Sequence, residues 1–106
     1  MEEAALIDVN VLVYAYAEDS PKRERATNLL LRGFTGKGRF FIALQTVGEF
    51  CSVATRKYRM EPIKANAVAQ ALLRSENFTK LHYKSSTFER ALNLVRDSGL
   101  HFWDAI

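Results

Sequence analysis

Cys51 is the only cysteine among the 106 residues, which rules out an internal disulfide and excludes a zinc site built from clustered thiolates. It shares an i, i+3, i+4, i+7 stripe with Val47, Phe50 and Ala54, so it reads as core filler on a helix face. No apolar run approaches the roughly 20 residues that a membrane span requires, and internal repeats, low-complexity tracts and linkers are all missing. No Lys or Arg occurs before Lys22, and the start, Met1-Glu2-Glu3, is acidic where a secretory signal would be basic. These absences predict a cytoplasmic chain that does not engage a membrane.

What remains is the composition of an ordinary globular domain, 48% hydrophobic and 25% charged, long enough for one core and too short for two. Residues 1–106 are therefore read as a single domain. The net charge of +3 permits nucleic-acid binding without requiring it. Its distribution is more telling: Arg56 to Lys84 holds seven basic residues against two acids, and Lys22 to Arg39 six against one. Surface helices are often rich in Lys and Arg, so this is either a solvated face or a surface that tracks phosphates.

Apolar patterning predicts strands and helices in alternation. Ala4 to Asp8 is a continuous apolar run, the mark of a strand buried on both faces. Asn10 suits the N-cap of a short helix from Val11 to about Ala17; Ser20 and Pro21 suit the start of a second, whose stripe is Ala26, Leu29 and Leu30 and whose stop is Gly33. Arg39 to Leu44 is a second strand, followed by a helix from Gln45 or Thr46 to about Tyr58. Pro62 to Ser75 is a further helix carrying Ile63, Ala67 and Leu72, and Phe78 to Tyr83 is a third strand. Ser86-Thr87-Phe88-Glu89 has the spacing of a capping box, and Gly99 would end the helix it opens. The order βααβααβα implies parallel strands joined by right-handed crossovers.

Three acids stand where surface solvation is a poor account. Asp8 ends an apolar strand with no cation near it in sequence; Glu49 lies early in the helix after the second strand; Asp104 follows Phe102-Trp103 at the start of another helical pattern. Glu49 could simply be exposed, and Asp104 could simply complement a helix dipole. Each nonetheless flanks a strand end, and in a parallel sheet the carboxyl ends share one edge, where ligands bind. Three carboxylates within about 5 Å repel by roughly 3 kcal/mol per pair at an effective dielectric of 20, so such a cluster needs a cation or shared protons. Oxygen donors favour Mg²⁺ or Mn²⁺ over zinc, and a hard cation suits phosphodiester chemistry.

The segments Leu6-Ile7-Asp8-Val9-Asn10-Val11-Leu12-Val13-Tyr14, Gly48-Glu49-Phe50 with Arg56-Lys57 after it, and Phe102-Trp103-Asp104-Ala105-Ile106 together resemble the PIN domain, most closely its VapC-type toxins. The resemblance implies a three-layer α/β/α fold with a parallel sheet, and a Mg²⁺-dependent (or Mn²⁺-dependent) endoribonuclease. Its expected partners are RNA, a VapB-type antitoxin and a second copy in a homodimer. Carried over position by position, Asp8, Glu49 and Asp104 are the catalytic and metal-holding acids, and Asn10 is a supporting polar residue.

Two departures qualify this. Val9 stands where the family commonly has Thr or Ser, which removes a hydroxyl from beside the first acid. The family also continues through two further strands and a fourth acid, so residues 1–106 are expected to lack the last part of the fold. With a family sheet order of 3-2-1-4-5, the first strand would be left with a bare apolar edge, to be covered by a second copy, a swapped segment or further residues. The alternative function is accordingly a catalytically impaired PIN-like fragment that keeps dimerisation or antitoxin binding. A phosphotransfer fold with Asp8 as nucleophile, as in haloacid-dehalogenase-like phosphatases, is disfavoured by Asn10 where an aspartate is usual. His82, His101, Trp103, Tyr14 and Tyr16 read as packing residues.

Overall fold

A computed structural model describes residues 4–82 together with residues 89, 90, 92 and 93. The elements run β1 (Ala4–Ile7), α1 (Val9–Tyr16), α2 (Arg23–Phe34), β2 (Arg39–Ala43), α3 (Leu44–Arg56), α4 (Pro62–Arg74) and β3 (Phe78–Leu81). Residues 89, 90, 92 and 93 are helical. The capping box at Ser86, the stop at Gly99, and the readings of His101, Trp103 and Asp104 lie outside the described residues.

The three strands form a parallel sheet in the order β1-β2-β3, with Ile7 beside Ile42 and Phe40 beside Phe78. Both crossovers advance in the same direction, so right-handed connections place their helices on one face. That face carries Ala5, Ile7, Phe40, Ile42 and Phe78, which join the buried residues of all four helices in one core. On the opposite face Ala4, Leu6, Phe41, Ala43 and Leu81 are buried as well, and Thr79 of β3 is exposed. Continuous apolar strands are what burial on both faces demands, and the parallel α/β architecture agrees with that of a PIN-like fold. Among the described residues β1 pairs only with β2, and the cover expected for its other edge is not among them. No helix among the described residues is long and apolar enough to cross a membrane.

Several local readings are corrected. Helix α1 starts at Val9 with Asp8, not Asn10, as its N-cap, because the chain turns as soon as the strand ends; Asn10 sits exposed in the first turn. Ser20 and Pro21 form a turn ahead of α2 rather than its first residues, with the Lys22 amide donating to Ser20 Oγ at 3.2 Å. Leu44 belongs to α3, not to β2. Helix α4 buries Ala65, Ala69 and Leu72, whereas Ile63 is 74% exposed and Ala67 is also on the surface. Small residues on the buried face let α4 lie close to α3, where the Cys51 thiol donates to the Ala65 carbonyl at 3.8 Å. β3 ends at Leu81, and His82 beyond it is exposed.

Gly33 does not stop α2. The stop is Gly36, with φ +75°: the Lys37 amide donates to the Arg32 carbonyl and the Gly36 amide to the Gly33 carbonyl, the paired bonds of a Schellman cap. Gly33 is instead a packing glycine. A Cβ there would come within 2.5 Å of Phe78 Cζ and 3.1 Å of Phe40 Cδ2. Phe78 is held edge-to-face by Phe34 (centroids 4.9 Å apart) and Phe40 (5.9 Å), each such pair worth about 0.5–1.5 kcal/mol beyond burial.

Two predictions follow from this packing. Gly33→Ala would gain about 1 kcal/mol of helix propensity, but overpacking against a buried, ring-locked Phe78 outweighs it; a net loss of about 1–2 kcal/mol is expected, read as a lower urea midpoint at unchanged m. Burial raises the Tyr16 hydroxyl above the ordinary tyrosine value of 10.0, where the ring packs edge-to-face on Phe50 at 6.0 Å. The unfolded chain then loses this proton first as pH climbs, so the group's contribution is intact below about pH 10 and is lost above it. Tyr16→Phe should flatten the alkaline fall of stability; equal slopes for both proteins above pH 10 would contradict this.

Candidate active site at the carboxyl edge of the sheet

Register decides which residues meet at the sheet edge. Ile7 pairs with Ile42, so Asp8 continues β1 to the level of Ala43, the last residue of β2 and the N-cap of α3. Two helices therefore spring from adjacent strand ends, α1 at Val9 and α3 at Leu44, and they pack on each other beyond that edge, with Tyr16 against Phe50.

Asp8 is extended (φ −92°, ψ 161°) and half-buried at the N-cap of α1. Aspartate is favoured at this position because its carboxylate can accept an amide of the first turn. Here it makes no such bond; only the Asp8 carbonyl is engaged, accepting from the Val11 amide at 3.1 Å. The carboxylate also forms no ion pair or hydrogen bond with the other described residues. Among the described residues this half-buried carboxylate is therefore left without a partner, as a ligand-binding group would be.

Glu49 lies in the second turn of α3 and is exposed, on the side opposite the buried Val47, Phe50 and Ala54. Cys51 is half-buried at the margin of that apolar stripe. The structure thus brings Asp8 and the start of α3 to one edge, with Glu49 above it on the helix. Asp104 lies outside the described residues, and among the described residues no three His, Cys, Asp or Glu side chains gather closely enough to hold a metal. Asp8 and Glu49 offer oxygen donors alone, a set that fits Mg²⁺ or Mn²⁺ and suits zinc poorly.

Thr46 is the feature that sequence reading passed over. It is the single buried polar or charged side chain among the described residues, in the first turn of α3 as that helix leaves the sheet edge. Nothing in sequence distinguishes it from a helix-start threonine facing solvent; its burial follows only from the direction of α3.

An apolar groove of about 140 Å³ lies between α1 and α2, lined by Ala15, Tyr16, Thr27, Leu30, Phe34 and the 58% exposed Leu31. An open cleft lies between α3 and α4, where Ser52, Thr55, Arg56 and Asn66 supply polar groups.

In comparison with known families, the family model described as PIN domain aligns with residues 5–106. No curated protein matches the chain.

Proposed function

The chain belongs to the PIN-domain family, whose members are generally nucleases, and from that premise we propose that it is a Mg²⁺- or Mn²⁺-dependent endoribonuclease, the toxin of a VapBC-type pair. The observation that carries this reading is Asp8: the family match spans it, the sheet edge positions it, and its carboxylate is left out of the helix cap.

In this reading Asp8 and Glu49 hold the cation, joined by Asp104, and Asn10 is a supporting polar group in the first turn of α1. When bound, the divalent ion supplies a lowered pKa for water and charge stabilisation at the leaving oxygen of a phosphodiester. The protein's own part is to fix the carboxylates on rigid elements: Asp8 between a buried strand and a helix, Glu49 on a helix locked to α1 by the Tyr16–Phe50 contact. The apolar groove between α1 and α2 supports a protein partner as well, because a helix-bound antitoxin segment needs such a surface for its apolar side chains. A homodimer belongs to the same proposal.

The direct test is cleavage of single-stranded RNA in Mg²⁺. Asp8→Asn, Glu49→Gln and Asp104→Asn should each lower kcat by about 10²–10³-fold while circular dichroism and the urea midpoint show a folded protein. Undiminished cleavage by Asp8→Asn would remove the assignment. An inactive wild-type chain that still binds its antitoxin would instead favour the non-catalytic alternative.

A further inference from the structure

Among the described residues nothing requires Gly48 to be glycine. It lies inside α3, where glycine is less favourable than alanine, yet its φ is not positive and a Cβ added there would meet none of the described residues within 4 Å. Gly33, the other helical glycine among the described residues, is explained by the rings of Phe78 and Phe40; Gly48 is exposed.

Its neighbours on the helix surface say what Gly48 adjoins. With 3.6 residues per turn, Gln45, Gly48, Glu49, Ser52 and Arg56 share one side of α3. Gln45, Gly48, Glu49 and Arg56 are exposed and Ser52 is half-buried, whereas Thr46, Val47, Phe50 and Ala54 are buried on the other side. This polar stripe runs about 16 Å, at 1.5 Å per residue, from the sheet edge to the cleft between α3 and α4. There Ser52 and Asn66 provide a hydroxyl and an amide beside Arg56, in a space of about 350 Å³, while the Thr55 hydroxyl donates to the Cys51 carbonyl at 2.8 Å.

Beyond the cleft the α3–α4 turn adds Lys57 and Arg59. Arg56 and Arg59 form no ion pair or hydrogen bond with the described residues, so their charge faces outward. Arg59 adopts φ +56°, a left-handed conformation in which glycine or asparagine would be easier, and it keeps a cation there. On α3 itself the stripe of Gln45, Gly48, Glu49, Ser52 and Arg56 carries no large apolar side chain, unlike the core of a protein interface. On α3 its one acid is Glu49, the residue assigned above to the metal; the turn beyond the cleft adds Glu61, which lies 3.9 Å from Lys64, so Arg56, Lys57 and Arg59 still leave a polyanion facing an excess of cations.

We propose that this face of α3 is the track on which single-stranded RNA lies against the protein, with Gly48 permitting close approach of the sugar-phosphate backbone beside Glu49 and Arg56 holding a phosphate at the far end. The proposal rests on the nuclease reading and extends it to substrate-binding residues. Arg59 and Lys57 extend the same anion-attracting surface past the cleft.

The test uses a fluorescein-labelled oligouridine and fluorescence anisotropy in chelator, where binding is read without metal-dependent cleavage, beside cleavage in Mg²⁺. Gly48→Ala is expected to raise Tm by about 4 °C while weakening binding roughly tenfold, and to raise KM more than it lowers kcat. A purely structural glycine would not give a more stable protein that binds less. Arg56→Ala should weaken binding and reduce the slope of log K against log salt by about 0.7, the value for one phosphate contact on a single strand. Wild-type affinity in both variants, or no binding by the wild type, overturns the track. Unchanged RNA binding with loss of a dimer in light scattering also overturns it, by assigning the face to a second copy. Binding that responds as expected in a chain that never cleaves RNA supports the track and defeats the nuclease reading instead.

Discussion

The structure depends on one directional constraint: β1, β2 and β3 are parallel, and each crossover steps the same way across the sheet. Right-handed connections then leave α1 to α4 no choice but the same face, and four helices must share the area of three short strands. Crowding of this kind explains the small residues at helix contacts. Gly33 yields to Phe78, and Ala65 and Ala69 bring α4 onto α3. It also aligns the carboxyl ends of β1 and β2, so Asp8 and the first turn of α3 are neighbours without any contact between their side chains being needed to bring them there.

How much of this is legible in the sequence depends on whether the signal is local. The strands are legible because continuous apolar runs such as Phe40-Phe41-Ile42-Ala43 mark burial on both faces, and the buried side of α3 follows from the spacing of Val47, Phe50 and Ala54. Helix α4 is harder. Its apolar residues occur all round the helix, so hydrophobicity alone selects Ile63 and Ala67, whereas packing distance selects Ala65, Ala69 and Leu72. The glycines at 33 and 36 are equally plausible helix stops in sequence; only the position of Phe78, more than forty residues later, separates a packing glycine from a cap. Asp8 and Asn10 are likewise both good N-caps, and the abruptness of the strand-to-helix turn decides between them.

The candidate site is legible to a different degree at each residue. Asp8 is conspicuous because a carboxylate at the end of an apolar strand is uncommon, and the structure adds that its carboxylate is not engaged by the helix it caps. Glu49 is ambiguous in sequence and stays exposed in the fold, so its assignment draws on the family match and on its place above the sheet edge. Thr46 is buried for a reason that no pattern of its neighbours reveals, since the axis of α3 relative to the sheet is a property of the whole crossover.

Where local rules are broken, the reasons divide cleanly. Gly33 breaks helix propensity and Phe78 supplies the explanation. Asp8 occupies a capping position without capping, forgoing about 1 kcal/mol, and Gly48 forgoes a similar amount of helix propensity with none of the described residues packed against it. Neither of these two is compensated by any contact within the described fold. One stands at the sheet edge beside the start of α3, and the other lies on the outer face of that helix next to Glu49. Uncompensated departures are expected at functional sites, because selection there acts on what the residue does to a ligand rather than on stability. Their concentration on one edge and one helix face is thus an argument for the site that uses neither the metal nor the chemistry, and it points to the same part of the molecule as the carboxylates do.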